Sequence, residues 1–177
     1  MNFPLLKTFE VSNIISSFLE KKFDDYKKQY GSWDEENSFD TEYGYQTDNL
    51  LKWDDKEFEI FTKENLLQVV SSQLNIDKTK ISFHWIHFLD YVNGGSMNQH
   101  KHWHNEDFVM FIYLKDCKRG KTIFYLNDYS DQFKERTQVG ITPKKNTAAI
   151  FSSLLLHKGE KTTENKRIFV MGIRVNI

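Results

Sequence analysis

The sequence predicts an α+β, mainly β protein: a jelly roll or β-sandwich with helices packed on its outside. Two observations carry this reading. Helical periodicity is confined to the N-terminal part of the chain, and from Lys80 onward short segments rich in Ile, Val, Phe, Tyr and Trp alternate with Gly, Asn, Asp and Pro. A length of 177 residues suits one domain. It divides into a helical N-terminal layer over 1–78 and a β core over 79–177 that carries the chemistry.

From Thr8 to Tyr30, Val11, Ile14, Ile15, Phe18, Leu19, Phe23, Tyr26 and Tyr30 keep the three-and-four spacing of one helix face, with Lys and Asp opposite. Gly31 supplies a stop. A second helix is expected over Thr62–Asn75, with Thr62 as its cap and Leu66, Leu67, Val70 and Leu74 as its apolar stripe. Strands are then expected near 80–92, 96–103, 108–114, 121–127, 137–142, 147–152 and 167–176. Many short strands after a helical opening form the pattern of a two-sheet roll. No repeat, low-complexity tract or linker interrupts it.

Charge and cysteine usage narrow the setting. The 24 basic and 25 acidic side chains leave a net charge of -1, but residues 1–100 sum to -7 and residues 101–177 to +6. Six carboxylates and no Lys or Arg fall in Trp33–Asp48, which reads as a solvated loop or as a docking strip for a basic partner. The basic second half could attract an anionic substrate. No apolar run approaches the roughly 20 residues of a membrane span, and Met1–Glu10 has no leader pattern. The lone Cys117 excludes an internal disulfide and a Cys-rich zinc module. A reducing, cytoplasmic setting without a membrane partner is therefore expected.

The chemistry centres on histidine. His100, His102 and His104 alternate, so on a strand they share one face, and Glu106 and Asp107 follow closely. Imidazole and carboxylate are the usual ligands of Fe(II), Zn and Mn. His84 and His87 lie in the apolar run Ile81–Leu89 and read as hydrogen-bonded core or rim residues. A distal ligand must come from His157, at the end of the buried run that starts at Thr147. Arg167, ten residues later, offers a fixed fork for a carboxylate.

In order and spacing these segments resemble the Fe(II)- and 2-oxoglutarate-dependent dioxygenases, in particular the prolyl 4-hydroxylase-like branch. The likeness covers about residues 85–177. Tyr91-Val-Asn-Gly94-Gly95 through His100-Lys-His102 is similar to that family's Tyr/Gly-Gly/His-x-Asp stretch. Phe108 to Leu114, including Tyr113, resembles its next core strand. Gly120-Lys-Thr122-Ile-Phe124 resembles its Gly-x-Thr-x-Phe element, and Thr142-Pro143 to Phe151, then His157, its distal-histidine run. The resemblance implies a double-stranded β-helix with the N-terminal helices outside the major sheet. It also implies iron on His100, His102 and His157, with 2-oxoglutarate held by Arg167 and Tyr113. The implied reaction consumes oxygen, releases succinate and carbon dioxide, and hydroxylates a C–H bond of a protein side chain or small molecule; a nucleobase substrate stays open.

Two departures stand out. His102 occupies the position where that family carries a carboxylate, so the ligands are either three imidazoles or a set shifted to His104 and Glu106. Asn146 stands where glycine is usual, and Asn tolerates the left-handed turn required there. The segment Phe124–Thr137, with Asp128, Tyr129 and Asp131, reads as an ordinary hairpin turn or as a substrate lid over the mouth. The alternatives are a cupin-type metal protein using Glu106, and a non-enzymatic sandwich that docks a partner through the acidic strip. Basic residues are too scattered for a nucleic-acid module.

Overall fold

The computed structural model describes residues 5–30, 41–102, 105–126 and 137–176. Nine strands occur among them: β1 (Leu6–Glu10), β2 (Thr41–Gln46), β3 (Ile81–His100), β4 (Phe108–Tyr113), β5 (Thr122–Tyr125), β6 (Gln138–Ile141), β7 (Thr147–Ser152), β8 (His157–Gly159) and β9 (Lys166–Val175). The helices are α1 (Asn13–Tyr30), α2 (Lys56–Phe61) and α3 (Leu67–Leu74), the last two joined by a π-helical turn over Thr62–Leu66. The chain is mainly β, as its sequence pattern predicts.

All pairings are antiparallel, in the order β1-β7-β4-β9-β3-β8-β5-β6, with β2 also on β3. The 20-residue β3 links two sheets. Its first half pairs with β9 from Ile81↔Val175 to Tyr91↔Lys166, while its last turns pair with β8 at Met97↔Gly159 and His100↔His157. Between these ends the strand changes sheet. One strand thus delivers one row of side chains to a large sheet and another to a small one.

Alternation along the strands sorts two cores. On β4, Phe108, Met110 and Ile112 join a cluster that contains helix residues Leu19, Phe23, Phe58, Leu66 and Val70, whereas Val109, Phe111 and Tyr113 belong to a cluster inside the roll. All six are buried, which fits a strand covered on both faces. Phe23 of α1 meets Phe88 edge-on with centroids 5.4 Å apart, and Phe58 of α2 meets Phe169 at 6.2 Å. Full burial of such a side chain stabilises by about 1.5–3 kcal/mol.

The structure moves several predicted boundaries. Thr8–Glu10 is not helical: β1 runs antiparallel to β7, with Thr8 opposite Ala149. Ladder bonds to a neighbouring strand outweigh a periodicity that Phe9 and Val11 fit only loosely. The second helical segment starts at Lys56, where the Asp55 carboxylate accepts from the Phe58 N–H at 2.8 Å. Thr62 is interior, its hydroxyl donating to the Phe58 carbonyl. The expected strands over 80–92 and 96–103 are one, and β1, β2 and β8 were not anticipated. Asn146 does take a left-handed backbone, at φ 73°.

Candidate metal centre

His100 and His157 face each other across the β3–β8 pairing, and the His102 N–H donates to the Ser153 carbonyl just before β8. One ligating nitrogen from each of the three lies within 4.8 Å of the others. Their rings pack at 4.3 Å (His100–His157), 5.0 Å (His100–His102) and 5.2 Å (His102–His157) between centroids.

Backbone carbonyls fix which nitrogens face inward. His100 Nδ1 lies 2.8 Å from the Asn98 carbonyl, and His157 Nδ1 lies 2.9 Å from the Leu155 carbonyl. A carbonyl can only accept, so both Nδ1 atoms carry the proton and both Nε2 atoms keep a lone pair. His102 Nδ1 faces the Glu106 carboxylate at 3.7 Å. Burial, and then the neighbouring His100 and His102, hold His157 well below the ordinary histidine pKa. It is neutral at pH 7, the form that binds a metal.

The triad opens on a cavity of about 360 Å³ between the sheets. From β3 come Trp85, His87, Leu89 and Tyr91; from β9 come Lys166, Ile168 and Val170; Val109, Phe111, Phe151 and Thr122 complete much of the wall. His87 is a rim residue, as expected, its Nδ1 2.8 Å from the Thr47 carbonyl and its pKa lowered by burial. Trp85 lies close against Gly172, where a Cβ would lie 2.4 Å from the indole.

Arg167 is placed elsewhere than the sequence reading expected. Its side chain lies over the Phe23 ring of α1, pairs with Asp24 at 3.0 Å, and has Asp90 at 3.8 Å. It is absent from the cavity wall. Strand parity is the reason: Lys166, Ile168 and Val170 point into the roll, whereas Arg167, Phe169 and Met171 point toward the helices. Lys101, Lys158 and Lys166 line the cavity, and the fully buried one is Lys166, with Nζ 2.9 Å from the Gly120 carbonyl and 4.6 Å from the Tyr91 ring centre. Burial lowers its pKa to about 8, with Cys117 and Glu160 opposing. The sequence reading missed it because adjacent basic residues differ only in parity.

Tyr113 stands one layer back. Its hydroxyl lies 2.6 Å from Thr122 Oγ1 and donates to the Ile141 carbonyl at 3.2 Å, so Thr122 is the member of the pair that reaches the cavity. Glu106 also lines the cavity, with its side chain wholly buried. His104, the candidate lid residues Asp128, Tyr129 and Asp131, and residues 33–40 of the Trp33–Asp48 strip lie outside the described residues.

No protein-family model matches the sequence, and no curated protein does. Solved structures do. A Pseudomonas putida prolyl-4-hydroxylase superimposes with a TM-score of 0.68 over 97% of this chain and 92% of its own, at 11% identity. An oxidoreductase of the 2OG-Fe(II) oxygenase family from Burkholderia pseudomallei gives 0.67 over 94% and 84%, also at 11%. The chain has the fold of the 2-oxoglutarate/Fe(II) oxygenases. SnoK, a non-heme α-ketoglutarate-dependent carbocyclase from nogalamycin biosynthesis, gives 0.73 over 97% and 79% at 8% identity. This oxygenase fold therefore spans hydroxylation and ring closure, and the reaction must be argued from the site.

Proposed function

We propose that the chain is an Fe(II)- and 2-oxoglutarate-dependent oxygenase that hydroxylates a C–H bond of a protein side chain or small molecule, with succinate and carbon dioxide as co-products. The observation that carries this is one cavity with a three-imidazole cluster and, in the same wall, a buried cation suited to a carboxylate. The donor set fits iron: two Nε2 atoms have fixed tautomers, and a third imidazole is backed by a carboxylate. His100, His102 and His157 are the proposed ligands.

When bound, the metal and 2-oxoglutarate supply the oxidising chemistry. The protein's part is to bind, orient and exclude water. The Lys166 ammonium would take the far carboxylate of 2-oxoglutarate, with Thr122 beside it and Tyr113 fixing the Thr122 hydroxyl. The Tyr91 face steadies the ammonium. Phe111, Phe151 and Trp85 make the wall apolar, which strengthens each charge contact inside. The reading includes one domain over residues 1–177, with a double-stranded β-helix carrying α1–α3 outside its major sheet, supported by the Phe23–Phe88 and Phe58–Phe169 contacts. It also includes a cytoplasmic setting, supported by a lone buried Cys117; among the described residues no helix is long and apolar enough to cross a membrane.

A second groove, of about 620 Å³, adjoins the cavity and shares Met97, Lys158 and Gly159 with it. Lys118, Arg119, Lys121, Lys158 and Lys161 line it beside Glu160. Such a surface supports an anionic primary substrate. Anaerobic titration with Fe(II) tests the reading: one equivalent should bind, and 2-oxoglutarate should raise the melting temperature only in its presence. Stabilisation by 2-oxoglutarate in a His157→Ala variant without metal would defeat it.

A further inference from the structure

A wholly buried carboxylate is costly unless it is paired or serves a metal site. Glu106 is such a group: its side chain has no exposure, and neither oxygen has a hydrogen-bond partner among the described residues. His102 Nδ1 lies 3.7 Å from its carboxylate. Its backbone is held firmly. Asn105, at φ 72°, accepts from Arg174 Nε at 2.7 Å through its carbonyl, the Asp107 N–H donates to the Ile173 carbonyl at 2.8 Å, and the Asp107 carboxylate accepts from the Val175 N–H at 2.8 Å. This brace to β9 sets the Glu106 carboxylate beside the His102 imidazole in the cavity wall, outside the grouping of the three imidazole nitrogens.

We propose that Glu106 is the outer carboxylate partner of His102, a positioning residue that orients the imidazole through Nδ1 and returns to the metal centre the negative charge that an all-histidine ligand set lacks. The inference rests on the metal-site reading above and gives His102 what the Asn98 and Leu155 carbonyls give His100 and His157. A carboxylate behind a ligating imidazole fixes its tautomer and raises its basicity. It also accounts for a buried acid whose oxygens have no hydrogen bond among the described residues. The two unusual features of the site, an imidazole in place of a carboxylate and a carboxylate with no hydrogen bond among the described residues, are then one arrangement.

The test is Co(II) binding to the full chain, followed by visible absorption and by thermal unfolding with and without metal. Glu106→Gln keeps the shape and removes the charge. Its Co(II) affinity should fall about 10- to 100-fold, with the absorption bands of the bound ion unmoved and the metal-free melting temperature equal or higher. Glu106→Asp should recover part of the affinity, whereas His102→Ala should lose it. A structural role would lower the metal-free melting temperature instead. Affinity of Glu106→Gln within twofold of the parent would overturn the proposal. So would shifted bands in Glu106→Gln together with retained binding in His102→Ala, because Glu106 would then be a ligand itself. Failure of the parent to take up Co(II) would remove the metal site along with its outer partner.

Discussion

Replacing Lys166 by methionine separates the cost of a buried ammonium from its use. The group is held at about 8 by burial, against an ordinary 10.5. Below pH 8 the side chain is charged both folded and unfolded, and the folded state carries a penalty of about 3 kcal/mol, since each pH unit is worth 1.36 kcal/mol. Between about 8 and 10.5 the unfolded chain binds the extra proton, so stability rises with pH and the penalty disappears. The parent should therefore gain about 3 kcal/mol across that window relative to Lys166→Met, read from urea unfolding at successive pH values. Ligand binding should show the converse. A charge-assisted bond to a carboxylate is worth about 2–3 kcal/mol, so the variant should bind 2-oxoglutarate about 30- to 150-fold more weakly at pH 7. The parent's affinity should fall about tenfold per pH unit above 8, while the variant's stays flat. Calorimetry on the metal-loaded protein measures both. Equal 2-oxoglutarate affinity in parent and variant, with loss instead in Arg167→Met, would refute the parity argument.

The other predictions use the same construction. Arg167→Met should cost about 1–3 kcal/mol, because among the described residues it leaves the buried Asp90 to Lys27 alone, and should leave 2-oxoglutarate affinity within twofold. Gly120→Ala should destabilise by about 1–3 kcal/mol and weaken 2-oxoglutarate, since φ is 96°, a Cβ would lie 2.7 Å from Thr162, and the Gly120 carbonyl anchors Lys166; chemical denaturation and calorimetry check the two halves. Asp55→Ala should cost about 1–2 kcal/mol by removing the cap on Phe58 and one partner of the buried Lys22. The Asp55 carboxyl is shielded from solvent, which raises its pKa, but its bonds to Lys22 and the Phe58 N–H outweigh that and hold it below the ordinary value. Its contribution is thus complete above about pH 4 and lost as pH falls through the lowered value, a slope the variant should lack in acid unfolding. Reversing charge at Lys118 and Lys121 together, which line only the second groove, should leave 2-oxoglutarate binding intact and abolish salt-sensitive binding of an anionic substrate.

The β core was legible because its segments are short, apolar and punctuated, and the triad because one histidine pair alternates and His157 ends a buried run. What stayed hidden depends on pairing. The β1 strand looks helical until β7 is beside it, and β8 is three residues long, with no pattern of its own. Lys166 and Arg167 differ by one place in a strand that is apolar on both faces, so composition cannot say which points inward. Only the partner register, Tyr91↔Lys166 and Asp90↔Arg167, assigns them. Glu106 was visible as a metal-side carboxylate, but its distance from His102 Nδ1 is set by the bonds that tie residues 105 and 107 to β9.

The most direct test of the central claim is turnover of the cosubstrate. Protein reconstituted with Fe(II) should convert 2-oxoglutarate to succinate in air, measured by NMR, and His157→Ala should not, with Lys166→Met slowed mainly through a raised KM. Succinate from the parent no higher than from the His157→Ala control would contradict the account.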